Sequence, residues 1–258
     1  MSELSYEAQQ EITRLCARAA ILMLQHGAES TLVDQVACRL GKALGVESVE
    51  AALTPNAIVI TTRHKEQCIT TTRRNYDSGI NMAVVTQVQR IVIAAEHKIY
   101  GAYQVRKKLD EVKPFRYNRW FVVVMVGLSC ASFARLAGGD IIISLVTFFA
   151  SALGMFVRQE LGKRHYNPLL NFAITAFVAS CVSGQALLHG WGNEPEIALA
   201  SSVLLLVPGF PLINSLSDVL KGYVNMGLGR WAVATVLTFG ACIGIVFALA
   251  VLHINAWS

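Results

Sequence analysis

The sequence predicts an α+β cytoplasmic amino-terminal domain followed by an all-α polytopic membrane domain of about five transmembrane helices. Two observations lead there. Only 15% of the 258 residues are charged while 54% are hydrophobic, whereas a soluble domain carries about a quarter charged residues. The charge is also one-sided: Lys, Arg, Asp and Glu concentrate before residue 120, and long apolar runs separated by short polar loops follow. The expected division is therefore a cytoplasmic domain over 1–119 and a transmembrane domain over 120–258. The opening "MSELSYEAQQEITR" is acidic and polar, unlike a cleavable secretory signal, which places the first domain in the cytoplasm.

In the amino-terminal part, residues 7–25 put Ile12, Leu15, Ala19, Leu22 and Met23 on one helical face. Residues 31–44 do the same with Leu32, Val36, Leu40 and Leu44. Between them lies "HGAES", where Gly27 suits a helix carboxyl-terminal cap and Ser30 or Thr31 can cap the next helix. "NAIVITTR" and "EQCITTTRR" are β-branched runs on either side of "HKE" and predict a hairpin. A third helix spans about 82–97, with Val84, Val88, Ile91, Val92 and Ala95 in a stripe. A shorter fourth carries Val105, Leu109 and Val112 into the first span. Roughly 115 residues suffice for a separate core.

Five runs meet the need for about 20 mainly apolar residues: 120–137, 141–157, 169–189, 197–217 and 231–254. Lys107, Lys108, Lys113, Arg116 and Arg119, then Arg158, Lys163 and Arg164, then Lys221 and Arg230 all fall on one side, against Arg135 on the other. By the positive-inside rule the amino terminus is cytoplasmic and the carboxyl terminus periplasmic. Trp120, Trp191, Trp231 and Trp257 sit at predicted span ends as interfacial anchors. Gly240 and Gly244 have GxxxG spacing, and Ala150 with Gly154 is a weaker small-residue pair; packing within the bundle or a subunit contact both fit.

Several chemistries are disfavoured. The chain contains neither GxxxxGK[ST] nor GxGxxG, its six histidines lack HxxxH or HExxH spacing, and its six cysteines form no CxxC pair. The expectation is therefore no cofactor, no metal site, no catalytic residue, no nucleic-acid partner, and cysteines that are buried free thiols. The net charge of +5 reads as an orientation signal. His26, Glu29 and Asp34 can be drawn as an acid–base set, although a capped helix–helix turn with solvent-exposed charges also accounts for them. Arg73 and Arg74 follow a strand, as an anion contact or a solvated strand end.

The fourth run holds "LLLVPGFPLINSLSD". Pro208 and Pro211 lack an N–H and clash with the preceding turn, Gly209 lies between them, and the break falls near the predicted bilayer midplane. In lipid such irregularity persists only where it is buried in protein or lines a watery cavity. The amino terminus of the second half-helix carries partial positive charge suited to a carboxylate, and discontinuous spans mark substrate sites in secondary transporters. Pro208, Gly209, Pro211, Asn214 and Ser215 are thus the candidate substrate-binding residues. Asp218 is either a coupling group or an interfacial residue paired with Lys221. The prolines can also be plain kinks. Asn171, Thr175, Ser183, Gln185, Thr235 and Thr238 supply further polar groups in other spans.

"LLQHGAES", "NAIVITT", "GINMAVVTQVQRIVIAAEH", "MVGLSCASFARL" and "LLLVPGFPLINSLSDVLKGYVNMGLGRWA" together resemble the threonine/serine exporter family, in its order and over most of the chain. The resemblance is closest to the longer subunit of two-component bacterial inner-membrane exporters associated with succinate. It implies export of small carboxylates or amino acids. Single-chain members of the family carry a further set of spans that this sequence lacks, so the resemblance also implies a second, smaller integral membrane subunit. Export of C4-dicarboxylates is the leading expectation. Threonine or serine export, a membrane-anchored sensor or enzyme acting through the amino-terminal domain, and a scaffold for the true permease are the alternatives.

Overall fold

Helices α1 (Tyr6–Gln25) and α2 (Ser30–Leu44) open the chain, and the computed structural model describes residues 4–76, 79–164 and 166–254. Ser5 caps α1 by accepting from the Ala8 N–H, and Ile12, Leu15, Ala19 and Met23 are buried at the predicted spacing. α2 ends at Gly45, whose φ of 109° is left-handed. Within α2, a Cβ at Gly41 would overlap the Val49 side chain, so that glycine lets helix and sheet approach closely.

Strands β1 (Ser48–Leu53), β2 (Ala57–His64) and β3 (Gln67–Arg74) form an antiparallel sheet in sequential order. The hairpin is as expected, turning through Lys65 at φ 53°. β1 is an addition: "SVEAAL" has little strand propensity of its own but pairs along β2, from Ser48 opposite Arg63 to Leu53 opposite Ile58. Ile58 and Ile60 point into the core. Gln9 donates to the Thr62 carbonyl at 3.2 Å, and the Thr13 and Thr62 hydroxyls lie 2.6 Å apart, pinning α1 on the sheet. Helices α3 (Met82–Glu96) and α4 (Ala102–Glu111) complete this region. α4 does not run on into the first span: residues 112–118 are non-helical and contain Pro114, which disfavours helix in the residue before it.

The chain divides into two compact units, Met1–Arg116 with Phe210–Trp231, and Tyr117–Gly209 with Ala232–Ser258. A single boundary after residue 119 is thus accompanied by two further crossings, near Gly209 and Trp231. The apolar core of the first unit draws on α1, α2, α3, α4 and the sheet and includes Met226.

The second unit contains α5 (Arg119–Leu136), α6 (Ile141–Lys163), α7 (Pro168–His189), α8 (Pro195–Ser202), a 3-10 turn (Leu204–Leu206) and most of α10 (Val224–Val251); α9 (Gly209–Leu220) precedes α10. α5, α6, α7 and α10 are each long and apolar enough to cross a membrane, and Pro195–Leu206 with Gly209–Leu220, bent by 59°, makes a fifth span if the pair counts as one. Two boundaries differ from expectation. α6 continues past 157 to Lys163, and α10 begins at Val224, not 231. The 28 residues of α10 make a rod of about 42 Å at 1.5 Å per residue, longer than the roughly 30 Å hydrocarbon layer.

Packing inside this unit relies on small residues. A Cβ at Gly244 would run into the Ala173 carbonyl, and one at Gly240 would lie 2.9 Å from the Leu169 carbonyl, so the GxxxG pair seats α10 on α7. Along α7, Thr175, Ala176, Ala179, Ser180, Ser183 and Ala186 are fully buried. Asp140 caps α6 at the Ile143 N–H, 2.8 Å, while Asn193 bridges the Asp140 N–H and the Gly138 carbonyl, both at 3.0 Å. Trp120 and Trp191 are exposed at helix ends. Trp231 lies inside α10, because that helix starts early. Trp257 lies outside the described residues. Cys16 and Cys130 are buried as expected, but Cys68 and Cys242 are exposed.

Candidate functional site

The predicted break in the fourth run is present. α8 ends at Ser202, the 3-10 turn ends at Leu206, and Val207 is extended at φ −64°, ψ 118°, as the residue before a proline should be. α9 restarts at Gly209, with Pro211 in its first turn, where a missing N–H costs least. The groups freed by the break have partners within their own unit. The Leu205 carbonyl accepts from Arg158 Nη1 at 3.0 Å, and the Ser202 carbonyl from Ser151 Oγ at 3.2 Å. Ser202 Oγ donates in turn to Ser183 Oγ at 3.0 Å. The Gly209 N–H donates to the Val207 carbonyl at 2.9 Å, and Pro211 has none to give, which leaves Phe210 and Leu212 as the remaining first-turn donors of α9.

Arg158 is the residue that sequence reasoning missed here. Its charge read as part of a loop, yet it lies within α6, its guanidinium 4.7 Å above the Phe172 ring. The available signal was its i, i+4 spacing from Gly154, whose face also meets Leu205. A cation within a span is a functional candidate by default.

Asn214, Ser215 and Asp218 lie in the amino-terminal unit, and Asn214 and Asp218 meet "HGAES". Asn214 Nδ2 donates to the Gly27 carbonyl at 2.9 Å, and Ser215 Oγ to the Gly227 carbonyl at 2.8 Å. Asp218 is completely buried. Its Oδ1 accepts from the Ser30 N–H at 3.0 Å, its Oδ2 from the Ser30 hydroxyl at 2.9 Å, and Arg230 Nη1 stands 3.1 Å from Oδ2. Arg230 Nη2 also donates to the Ala28 carbonyl at 2.7 Å. Asp218 therefore pairs with Arg230 and not with Lys221, whose ammonium goes to Glu29 together with the Ser217 hydroxyl.

The turn also departs from its expected form. Ser30 is the first residue of α2, not its cap; the cap position is Glu29, which makes no side-chain cap bond among the described residues. A carboxylate from 188 residues away takes that role, satisfying a helix-end donor with an anion at the positive end of the helix dipole. Nor are the charges solvent-exposed: the Glu29 side chain is 27% exposed and His26 is buried, with its Nδ1 2.8 Å from the Leu22 carbonyl. The hydrogen bond from Lys221, followed by that from Ser217, holds the Glu29 carboxyl below the usual range. Asp34 accepts from the Tyr223 hydroxyl at 2.8 Å. Burial, then that bond, pushes the Tyr223 phenol up to about 12. His26, Glu29 and Asp34 thus turn to separate partners, and no acid–base relay joins them. The arrangement is a clamp: the Gly27 and Ala28 carbonyls, the start of α2, the Lys221–Glu29 ion pair and the Tyr223–Asp34 bond grip Asn214–Arg230, which the Asp218–Arg230 pair ties together from within.

A family model described as "Putative threonine/serine exporter" (ThrE) matches residues 14–252. "Probable succinate transporter subunit YjjP" of Escherichia coli (strain K12) is 51% identical over 252 residues, 97% of this chain and 98% of that protein. The protein of the same name from Klebsiella aerogenes is 52% identical over 251 residues, 97% of each. "Probable threonine/serine exporter" of Mycobacterium tuberculosis is 24% identical over 247 residues, covering 93% of this chain but 46% of that protein. No solved structure matches the chain.

Proposed function

Because the chain belongs to the threonine/serine exporter family, we propose that it is one subunit of a heteromeric secondary exporter carrying small carboxylates outward, succinate and related C4-dicarboxylates foremost. It is a transporter and not an enzyme. The observation that carries the reading is the break after Leu206 in the fourth apolar run, with Arg158 bonded to the Leu205 carbonyl beside it. An arginine fork suits a carboxylate, and backbone irregularity at membrane depth is tolerated where it serves a cavity. The names of the Escherichia coli and Klebsiella relatives support succinate. The word subunit in the names of those two relatives supports a partner, which this reading takes to be a second, smaller integral membrane subunit.

In this reading the chain sits in the inner membrane with its amino terminus cytoplasmic and its carboxyl terminus periplasmic, as its Lys and Arg distribution favours. Transport proceeds by alternating access. Pro208, Gly209 and Pro211 keep the fourth span discontinuous, and Arg158 meets a substrate carboxylate beside Leu205. Asn214 and Ser215 take part in substrate binding when their bonds to Gly27 and Gly227 open. Asp218 serves coupling by exchanging its Arg230 partner.

Threonine or serine export is the second reading, favoured by the family description and the Mycobacterium relative. Efflux of labelled succinate, threonine and serine from vesicles containing this chain, with and without the co-purified second subunit, tests both. Succinate efflux that needs both subunits and falls in Pro208→Ala/Pro211→Ala at unchanged protein level is expected. Efflux of threonine and serine alone would move the assignment to the second reading, and full succinate efflux by the double variant would overturn the role of the break.

A further inference from the structure

Within the amino-terminal unit, away from the clamp, a groove of about 400 Å³ is lined by Glu11, Arg14, Arg18, Arg73, Arg106 and Asp110, with Leu15 and Ile21 at its base. The volume falls within the roughly 300–1,000 Å³ of small-molecule sites. Three elements build it. α1 presents Glu11, Arg14 and Arg18 along one face, α4 presents Arg106 and Asp110 one turn apart, and Arg73 comes from the end of β3.

The charges do not balance. Arg18 pairs with Asp110 at 2.6 Å and Arg106 with Glu11 at 3.3 Å. Both pairs run between α1 and α4 and occupy both carboxylates of the groove. Arg14 and Arg73 have no carboxylate partner among the described residues. Four guanidinium groups against two carboxylates leave two positive charges in one concavity. Fold stability does not call for that arrangement, since all four arginines are exposed and like charges repel. Guanidinium forks bind carboxylate and phosphate oxygens in paired, charge-assisted hydrogen bonds.

We propose that this groove binds a small dianion, a dicarboxylate or a phosphate, through Arg14 and Arg73, with Arg18 and Arg106 held by their ion pairs. The two sources share one chemistry, two negative charges on a small molecule. The proposal does not depend on the transport reading.

The test is calorimetric titration of the full-length chain in non-ionic detergent at fixed ionic strength, with succinate and inorganic phosphate as separate probes. Saturable binding of one or both is expected, and the probe that binds identifies the source. Arg14→Gln/Arg73→Gln, both at exposed positions, should weaken it by about tenfold or more, as loss of charged hydrogen bonds implies, without lowering the melting temperature. Arg14→Lys/Arg73→Lys, which keeps the charge and loses the forks, should weaken it less and covers the case of a poorly folded Gln variant. Absence of saturable binding of either probe, or binding that the Gln double variant retains, overturns the proposal. Succinate held by the membrane unit falls in that last class, and vesicle efflux reports on transport separately.

Discussion

Asp218→Leu should cost the amino-terminal unit about 3–5 kcal/mol, the usual penalty for removing one partner of a buried ion pair. The magnitude follows from what the carboxylate holds. It is completely buried, accepts twice from Ser30 and stands 3.1 Å from an Arg230 side chain that is 15% exposed. Its loss strands a guanidinium in a largely dry site and leaves the first donor of α2 unmet. At 1.4 kcal/mol per decade, local opening becomes roughly a hundredfold to a few thousandfold more frequent. Hydrogen exchange at Val33 and Tyr223 reads this directly. Both amides donate to backbone carbonyls, of Glu29 at 3.1 Å and of Asp218 at 2.8 Å, and neither bond involves the lost carboxylate. Arg230→Met should loosen the same amides. The double variant, with both charges gone, should be less damaged than either single one. Protection that is unchanged in Asp218→Leu, or a double variant that merely adds the two single losses, would refute the reasoning.

Three further outcomes are expected. Because Lys221 and Ser217 depress the Glu29 carboxyl, its contribution is complete above the unfolded value of about 4.3 and is lost as pH falls through the lower folded value. Glu29→Gln should therefore flatten the acid limb of thermal stability below about pH 4.3, and identical limbs would contradict the Lys221 contact. The Tyr223 phenol, raised to about 12 from an ordinary value of about 10, contributes stability that is complete below the lower value and lost as pH rises to the higher. Difference ultraviolet titration against Tyr223→Phe isolates it; Asp34→Asn should lower the midpoint, and a midpoint near 10 in the unaltered protein rules the contact out. Gly244→Ala places a methyl group against the Ala173 carbonyl and within 2.9 Å of the Ala176 Cβ. A loss of about 1–3 kcal/mol from overpacking should lower the melting temperature in detergent, and an unchanged one counts against the α7–α10 seat.

The elements legible in the sequence were those whose signal is local. Apolar period and length located α1, α2, α3 and the long spans, and β-branched runs located the hairpin. β1 was not legible because Ala51 and Ala52 form strand only through pairing with Ile60 and Val59. The start of α10 was hidden by Gly227 and Gly229, which look like loop residues. They serve close approach instead: a Cβ at Gly227 would meet Val219 and the Ser215 carbonyl, and one at Gly229 would meet Pro55. The break at Pro208 was legible because proline acts on its own neighbours. The partners of Asp218 were not, since Ser30 lies 188 residues away and no spacing rule reaches that far. A turn that reads as solvated in isolation becomes a clamp once the second half of the broken span is laid against it.

The buried face of α7 has a mechanical consequence. In lipid no hydrophobic force presses helices together, so contact depends on how closely backbones fit. Along α7 that contact is made of methyl groups and hydroxyls, recurring at Ala176, Ala179 or Ser180, Ser183 and Ala186, about one helical turn apart. Large interlocked side chains act as gear teeth, and moving past them demands rotamer exchange. A face of this kind acts as a rail. A slip of one turn, about 5.4 Å, presents the neighbouring helix with the same small residues, while the Ser183 hydroxyl keeps its bond to the Ala179 carbonyl, which lies within α7 and moves with it.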